Sequence, residues 1–269
     1  MLRSMWSGVA GLRAHQTRMD VIGNDVANVN TVGFKGSRTN FEDLMYQVRR
    51  EPGSRDFEDR PVPHGILVGL GVAVSGTQMN FEPGSIDPTG RKLDLALQGE
   101  GFFQVRTSYN GQQLTAYTRA GNFVRNANGE LVMGNSVGSI LEPPITIPEN
   151  VPDDGIVISN DGRVQVRQDG SGQLTEQGQI ELARFVNPEG LKSIGKNLYV
   201  ETDASGTPVT GNPLQDGLGE IMQGQLENSN VEPVRELVDL IMTQRGFELN
   251  SQSIQSADEA LRVVTALRR

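Results

Sequence analysis

The chain has 269 residues, enough for one large domain or two smaller ones, and its 36% hydrophobic content can fill a modest core. A net charge of −9 argues against a nucleic-acid binder, because neutralising phosphates needs a surplus of Lys and Arg on some face. The complete lack of cysteine excludes disulfides, thiolate nucleophiles and Cys-ligated metals, and it suits a protein that works outside a reducing cytosol.

The first predicted element is a helix. From Leu2 the apolar residues fall at Leu2, Met5, Val9, Leu12, Met19, Ile22 and Val26, with Gln16 in the one polar seam position. Steps of three and four make a narrow stripe that must face another helix. This segment lacks the continuous apolar run and small-residue cleavage site of a secretory signal, so an exported chain would need another route. No stretch approaches about 20 apolar residues, and no membrane insertion is expected. Residues 1–50 hold seven Lys/Arg against four Asp/Glu, but Arg3, Arg13 and Arg18 are spread along the helix and read as a solvated face. Trp6 and the eight methionines read as core or partner contacts.

The helix runs into NDVANVNTVGFK, residues 24–35, where Asn24, Asn28 and Asn30 either line a site or stop the helix. Their amides can satisfy freed backbone groups, and Gly33 permits a positive φ before Phe34 re-enters a packed surface. The structural reading is preferred. Two stretches rich in Pro, Gly and charge, YQVRREPGSRDFEDRPVPHG (46–65) and TDASGTPVTGNPLQDGLG (202–219), read as linkers or extended arms. The 32 glycines and 13 prolines against 5% aromatics favour many turns and short strands. From about 95 to 205, Asn110-Gly111, Asn128-Gly129, Asp154-Gly155, Asp161-Gly162 and Asp169-Gly170 punctuate short alternating runs such as GFFQVR and GRVQVR, the pattern of β-hairpins.

The candidate chemistry of this region fails. GLKSIGKN (190–197) begins like a phosphate loop, yet Asn197 stands where a Ser or Thr should meet magnesium, and the segment continues into a strand. A glycine-flanked β turn is the better reading. His15 and His64 have no partner at metal-ligand spacing and read as surface residues. Asp153-Asp154 falls in a turn, and Asp258-Glu259 points away from the Ile254/Leu261 seam. No catalytic residue, cofactor-binding residue or metal ligand is assigned, and no cofactor is expected.

At the other end Leu240, Phe247, Ile254 and Leu261 repeat every seven residues, with Ala257 and Val264 three further on, which is heptad spacing. Pro233 suits a first helical turn, Glu232 and Glu236 suit the positive end of the dipole, and Arg262, Arg268 and Arg269 suit the negative end. From about 231 to 267 this helix would extend roughly 55 Å. Two amphipathic helices at opposite ends most simply pack on each other, and a two-helix hairpin leaves apolar surface for further copies to cover.

The helix-plus-NDVANVNTVGFK opening resembles the N-terminal signature of the bacterial flagellar axial proteins: rod, hook and hook-associated subunits. GQLENSNVEPVRELVDLIMTQRGFELNSQSIQSADEAL (224–261) resembles the C-terminal signature of that family, and LDLALQGEGFFQV, YTRAGNFVRNANGELV, ISNDGRVQV and LARFVNPEGLKSIGKNLYVET resemble segments of its β domain. The charged arm, with Arg49, Arg50, Glu51, Arg55, Asp56, Glu58, Asp59 and Arg60, is similar to that of the distal-rod branch. A short hook subunit is the alternative.

The resemblance implies an α+β fold in three parts: a terminal helical assembly domain (1–40 with 225–269), an arm and connector (41–94 with 206–224), and a β-rich outer domain (95–205). It implies a non-enzymatic subunit that polymerises helically into a hollow shaft carrying motor torque. Its expected partners are copies of itself, other rod and hook subunits, the type III export apparatus and surrounding ring proteins, with the chain in the basal body outside the cytoplasmic membrane. The expected assembly interface is the two apolar seams, and the helices should be largely disordered before assembly. A secreted β-rich hydrolase with oligomerisation arms, or an adhesin displayed on such helices, are the rivals.

Overall fold

The computed structural model describes residues 2–53, 63–109, 111–167 and 174–267, with the Leu2 side chain outside the described set. The fold is α+β, a helix at each end with a strand-rich middle. It divides into two compact units, one formed by Met1–Ala27, Ser37–Met79 and Glu232–Arg269, the other by Asn28–Gly36 and Asn80–Val231.

In the first unit, helix α1 (Leu2–Ala27) lies antiparallel to helix α2 (Pro233–Leu267). Pro233 opens α2 where its missing N–H costs nothing, and Glu236 sits in the positive first turn. Arg268 and Arg269 lie outside the described residues. On α2 the heptad face turns inward: Leu240, Phe247, Ile254 and Leu261 are half-buried and Ala257 is buried, while Thr243 and Asn250 fill the alternate positions. Val264, which continues the sequence pattern, is exposed.

On α1 the expectation needs correction. The residues recorded against α2 are Gly8 at Ile254, Gly11 at Asn250, His15 at Gly246 and Arg18 at Asp239. This face is one residue, or about 100°, away from the apolar stripe. A Cβ on Gly8 would stand 2.8 Å from Ile254 Cγ1, and one on Gly11 would stand 3.0 Å from the Asn250 amide. The seam therefore seats the larger side chains Ile254, Asn250 and His15 in the hollows left by Gly8, Gly11 and Gly246. Of the predicted stripe only Ile22 is buried; Met5, Val9, Leu12, Met19 and Val26 are half-buried.

α1 also packs on the antiparallel pair β1 (Ser37–Asp43) and β4 (Val72–Met79), whose register slips between Asn40 and Phe41. Phe41 lies 6.4 Å from the His15 ring and 6.0 Å from the Arg18 guanidinium. Between these strands the arm expected to be a linker is a hairpin in its described part: β2 (Tyr46–Arg50) pairs β3 (Ile66–Gly69) from Tyr46↔Gly69 to Arg50↔Ile66. Residues 54–62, with Arg55, Asp56, Glu58, Asp59 and Arg60, lie outside the described set.

The second unit carries the strands β5 (Ile86–Pro88), β6 (Leu95–Gln98), β7 (Phe102–Tyr109), β8 (Gln112–Thr118), β9 (Phe123–Arg125), β10 (Leu131–Met133), β11 (Ile140–Glu142), β12 (Ile156–Ile158) and β13 (Arg163–Arg167). It continues through β14 (Leu174–Gln179), β15 (Leu182–Arg184), β16 (Lys192–Gly195), β17 (Leu198–Val200), β18 (Val209–Gly211), β19 (Glu220–Gln223) and β20 (Gln225–Glu227). Among the described residues the main sheet runs β16-β17-β8-β7-β11-β10-β9, with β15 joining β7 to β18; β12-β13-β14, β6-β19 and β5-β20 are smaller antiparallel sheets. β12 and β13 alternate, while runs such as residues 95–97, 102–105 and 131–133 are buried continuously, and together they form one core in which Leu95, Leu97, Phe103, Phe123, Leu131, Leu141, Ile147, Val164 and Leu182 are shielded almost completely from solvent.

Turns conform unevenly to the sequence expectation. Asp161-Gly162 closes β12 to β13, with Gly162 at φ +84°, and Gly129 turns at φ +82° between β9 and β10. Asp154-Gly155 instead belongs to a short 3-10 turn, Asp153–Gly155, that leads into β12. Asn110 and Asp169-Gly170 lie outside the described residues. The candidate phosphate loop is the β16–β17 hairpin, turning through Lys196 and Asn197 at φ +58° and +60°. The stretch 202–219, expected as a connector, contributes β18 to the main sheet.

Gly121 is where backbone meets backbone, since its amide neighbourhood is shared with β6 and Leu95 N donates to Gly121 O at 2.9 Å. A Cβ there would overlap the Leu95 carbonyl. Gly121→Ala is expected to cost the β unit more than about 3 kcal/mol, because overpacking against main chain cannot be relieved by a rotamer change. Urea unfolding followed by near-ultraviolet circular dichroism measures it, and an unchanged midpoint would contradict the packing described.

Candidate assembly interface and connector clamp

A helix of 35 residues with only Thr243 and Ala257 buried is an unusual object for an isolated chain. Val234 is 76% exposed and Met242 66%, and Leu237, Val238, Ile241 and Leu249 are exposed as well. The first five fall at i, i+3, i+4, i+7 and i+8, a second apolar stripe opposite the heptad face. On α1, Trp6 is 74% exposed. The unit therefore has apolar surface on both helices beyond what their mutual packing covers, and α2 is apolar on more than one side. Among the described residues, no helix is long and apolar enough to cross a membrane.

The opening stretch resolves into a turn that leads to a charge cluster. Asn24 sits exposed in the last turn of α1, and Asn30 is exposed in the following turn. Asn28 accepts from Thr31 through both its backbone carbonyl, at 3.0 Å, and its side-chain oxygen, at 3.2 Å. Gly33 has φ +65°, and a Cβ on it would meet the Ala120 amide nitrogen at 2.6 Å, so only glycine fits. Gly33 N donates to Glu227 O at 2.8 Å, and half-buried Phe34 follows.

Lys35, the residue that ends the stretch, is the centre of the second unit's polar network. Its ammonium donates to Glu227 Oε1 at 2.6 Å and to the Glu82 carbonyl at 2.6 Å, and neither Lys35 nor Glu227 is exposed. Gly84 N donates to the same carboxylate oxygen at 3.0 Å. The other oxygen faces Arg119 Nη1 at 3.5 Å. Arg119 is itself buried, donates to the Gly99 carbonyl at 2.8 Å and lies over the Phe102 ring at 5.4 Å. Burial pulls the Lys35 ammonium below the ordinary lysine range, with Glu227 opposing that shift. The site holds two cations and one anion.

Asn230, in the segment between β20 and α2, closes the same region. Its side-chain oxygen accepts from Gly36 N at 2.9 Å, and its amide donates to the carbonyls of Asn80 at 2.8 Å and Glu82 at 3.1 Å. Asn80 N donates to Gly36 O at 2.8 Å. Three segments remote in sequence, 28–36, 80–84 and 227–231, are thus stitched by one carboxylate and one carboxamide.

Sequence reasoning missed Lys35, Arg119, Glu227 and Asn230. It also placed His15 on the surface, whereas the ring sits in the α1–α2 seam with Nδ1 buried and unpartnered; desolvation, then Arg18, lowers its pKa. His64 is exposed, and its carbonyl accepts from Arg50. Asp258 pairs with Arg262 at 3.0 Å along the outside of α2. Among the described residues, no three His, Asp or Glu side chains lie close enough together to hold a metal ion.

The sequence that folds this way, a helix at each terminus around a strand-rich middle, matches family models of the flagellar rod and hook class. The model described as flagella basal body rod protein covers residues 5–35, the flagellar hook protein FlgE/F/G D1 domain covers 96–166, and the flagellar basal body rod FlgEFG protein C-terminal region covers 222–267. The chain is 40% identical over 269 residues to the flagellar basal-body rod protein FlgG of Borreliella burgdorferi, covering all of both chains. It is 42% identical over 268 residues to the protein of that name in Caulobacter vibrioides, covering 99% of this chain and all of that one. Against the Bacillus subtilis protein of that name it is 39% identical over 270 residues, again end to end. The chain belongs to the flagellar basal-body rod protein family.

Replacing Glu227 by Ala strands two buried cations, whereas Lys35→Met leaves the carboxylate with Arg119. Glu227→Ala is expected to destabilise the β unit by about 3–5 kcal/mol and Lys35→Met by distinctly less. Equal losses in chemical denaturation would refute this apportioning of the cluster.

Proposed function

We propose that the chain is a structural subunit of the distal rod, polymerising helically into a hollow shaft that transmits motor torque to the hook. One observation carries this beyond family membership: both terminal helices keep large apolar side chains in water, on faces that their mutual packing leaves uncovered. Burying apolar surface contributes about 25 cal/mol per Å², and in a repeating assembly each copy gains on every side. The interface we assign comprises Leu2, Met5, Val9, Leu12, Met19, Ile22 and Val26 on α1 and Leu240, Phe247, Ile254, Ala257, Leu261 and Val264 on α2. Met5, Val9, Leu12, Met19 and Val26 suit it because they stand half-exposed beside the small-residue seam and so remain available to neighbours. Asn24, Asn28, Asn30, Gly33 and Phe34 carry the chain out of the helical layer.

In this reading residues 1–40 and 225–269 form the assembly layer, 41–94 and 206–224 the arm and connector, and 95–205 the outer β domain. Docking of the helix pair in a free subunit is marginal, since its seam has few buried apolar residues, and neighbours complete it. Such a chain suits passage through an export channel without a cleaved signal, to a basal body outside the cytoplasmic membrane, where it meets other rod and hook subunits and the surrounding rings. No bond is made or broken. A short hook subunit is the less supported alternative, given end-to-end relatives named as rod proteins.

Two substitutions separate the contributions. Trp6→Ala removes an exposed ring, so the thermal unfolding of the subunit is expected to stay unchanged while the critical concentration for polymerisation rises about tenfold, as for the loss of a buried aromatic contact. Ile254→Asp places a charge against Gly8 and is expected to abolish polymerisation while leaving the β unit folded. Sedimentation and electron microscopy provide the readouts: normal straight polymers from Ile254→Asp would sink the seam assignment.

A further inference from the structure

Asp25 occupies the last turn of α1 and is 1% exposed. One carboxylate oxygen accepts from Ser37 N at 2.8 Å, which ties the end of α1 to the start of β1. The other, Oδ1, is buried without a hydrogen-bond partner. Among the described residues no cation forms an ion pair with it, since Arg18 pairs with Asp239 at 3.7 Å and Arg38 is held by Gln78. The charged groups near this end of the packed elements are Arg18 and Asp20 on α1, Arg235, Glu236 and Asp239 on α2 and Arg38 beside Ser37 on β1; β4 carries none.

Hydrogen bonds from the Ser37 amide and the Asn24 side chain favour the anion, and the rest of the site opposes it. The helix C-terminus carries partial negative charge of its own. Glu236, a second carboxylate, faces Asp25 from the first turn of α2, where the dipole favours its anion. A carboxylate stripped of water with one oxygen unpartnered is costly, whereas the neutral acid fits.

We propose that Asp25 is a proton-operated latch on the terminal helices: protonated, it lets the end of α1 close on α2 and β1, and ionised, it loosens that closure. Desolvation first, then the field of Glu236, pushes the Asp25 carboxyl up to about 6, with the Ser37 amide and Asn24 pulling the other way. Glu236 is raised too, by burial and then by Asp239. The sign follows by linkage. The docked state holds the proton more tightly than the undocked one, so docking is strongest below the ordinary carboxylate range and weakens as pH rises towards about 6, levelling above it. Acidification therefore favours ordered termini, whether or not the chains then polymerise.

The chain has no cysteine, so a reporter pair can be introduced cleanly. Gln16→Cys on α1 and Gln244→Cys on α2, both exposed, carry spin labels on the full-length subunit, and dipolar spectroscopy gives the docked fraction from pH 4 to 8. The docked-to-undocked ratio is expected to fall by up to about tenfold per pH unit through the window below 6. Asp25→Asn should flatten that dependence. Glu236→Gln, which leaves the latch in place, should move the window to lower pH. A docked fraction that ignores pH, one whose pH dependence persists in Asp25→Asn, or termini that never dock would each overturn the latch. Because the readout is intramolecular, failure of polymerisation would count against the shaft reading alone.

Discussion

Two cations and one carboxylate share a site from which water is excluded, and the chain tolerates this because the three charged groups come from segments that must be held together. Lys35 and Glu227 lie 192 residues apart, so their meeting closes more than two thirds of the chain into a loop. A buried ion pair returns little net stability, because desolvation consumes most of the Coulombic gain. What it supplies is geometric exclusivity: an ammonium at Lys35 with any other partner would be buried and unpaired. Arg119 anchors the arrangement to the sheet through backbone carbonyls, and Asn230 repeats the stitching with neutral groups. The segment after α1 is thereby a component of the β unit, although it follows the helix directly in sequence.

Legibility in the sequence followed the kind of interaction involved. The heptad of α2 was readable because Leu240, Phe247, Ile254 and Leu261 advertise burial by hydrophobicity, and the β module was readable from alternation and Asn/Asp-Gly turns. The seam of α1 was not, because Gly8 and Gly11 act by lacking a side chain, and a hollow that receives a partner's side chain leaves no apolar periodicity. A signal existed: two glycines three apart in a helix cost roughly 1 kcal/mol each against alanine, which invites a packing reason. Lys35 and Glu227 were invisible for another reason, since a charged residue reads as surface unless its partner is known. The hairpin β2–β3 was hidden by the Pro and charge around it, and its two short strands, Tyr46–Arg50 and Ile66–Gly69, are largely exposed, so no burial pattern marks them.

The rotation between seam and stripe on α1 has a consequence for how one helix serves two purposes. If Met5, Val9, Leu12 and Met19 were the intramolecular seam, closing the subunit would hide its stickiest residues. Small residues at Gly8 and Gly11 let α2 approach on the neighbouring face, so the apolar stripe stays half-exposed beside it. The cost is a weak intramolecular seam, with His15, Arg18 and Asn250 in places where a self-sufficient helix pair would carry leucine. Weakness here is compatible with function, because a pair that was saturated by itself would have nothing left with which to recruit neighbours.

The same reasoning separates the two units energetically. Both units leave some buried polar atoms without hydrogen-bond partners, among them Glu227 Oε2 and Arg119 Nε in the β unit and Asp25 Oδ1 and His15 Nδ1 in the helical unit, but only the β unit sets a continuous core of large side chains against that cost. Unpartnered buried polar atoms each cost about 1–3 kcal/mol, a large fraction of the stability a small helical unit can muster. A subunit built this way keeps a durable domain that does not depend on its neighbours, and termini whose order responds to whatever neutralises or covers them. Polymerisation covers the apolar faces and protonation neutralises the carboxylate, so the two act on the same loosely held helices through different physical forces.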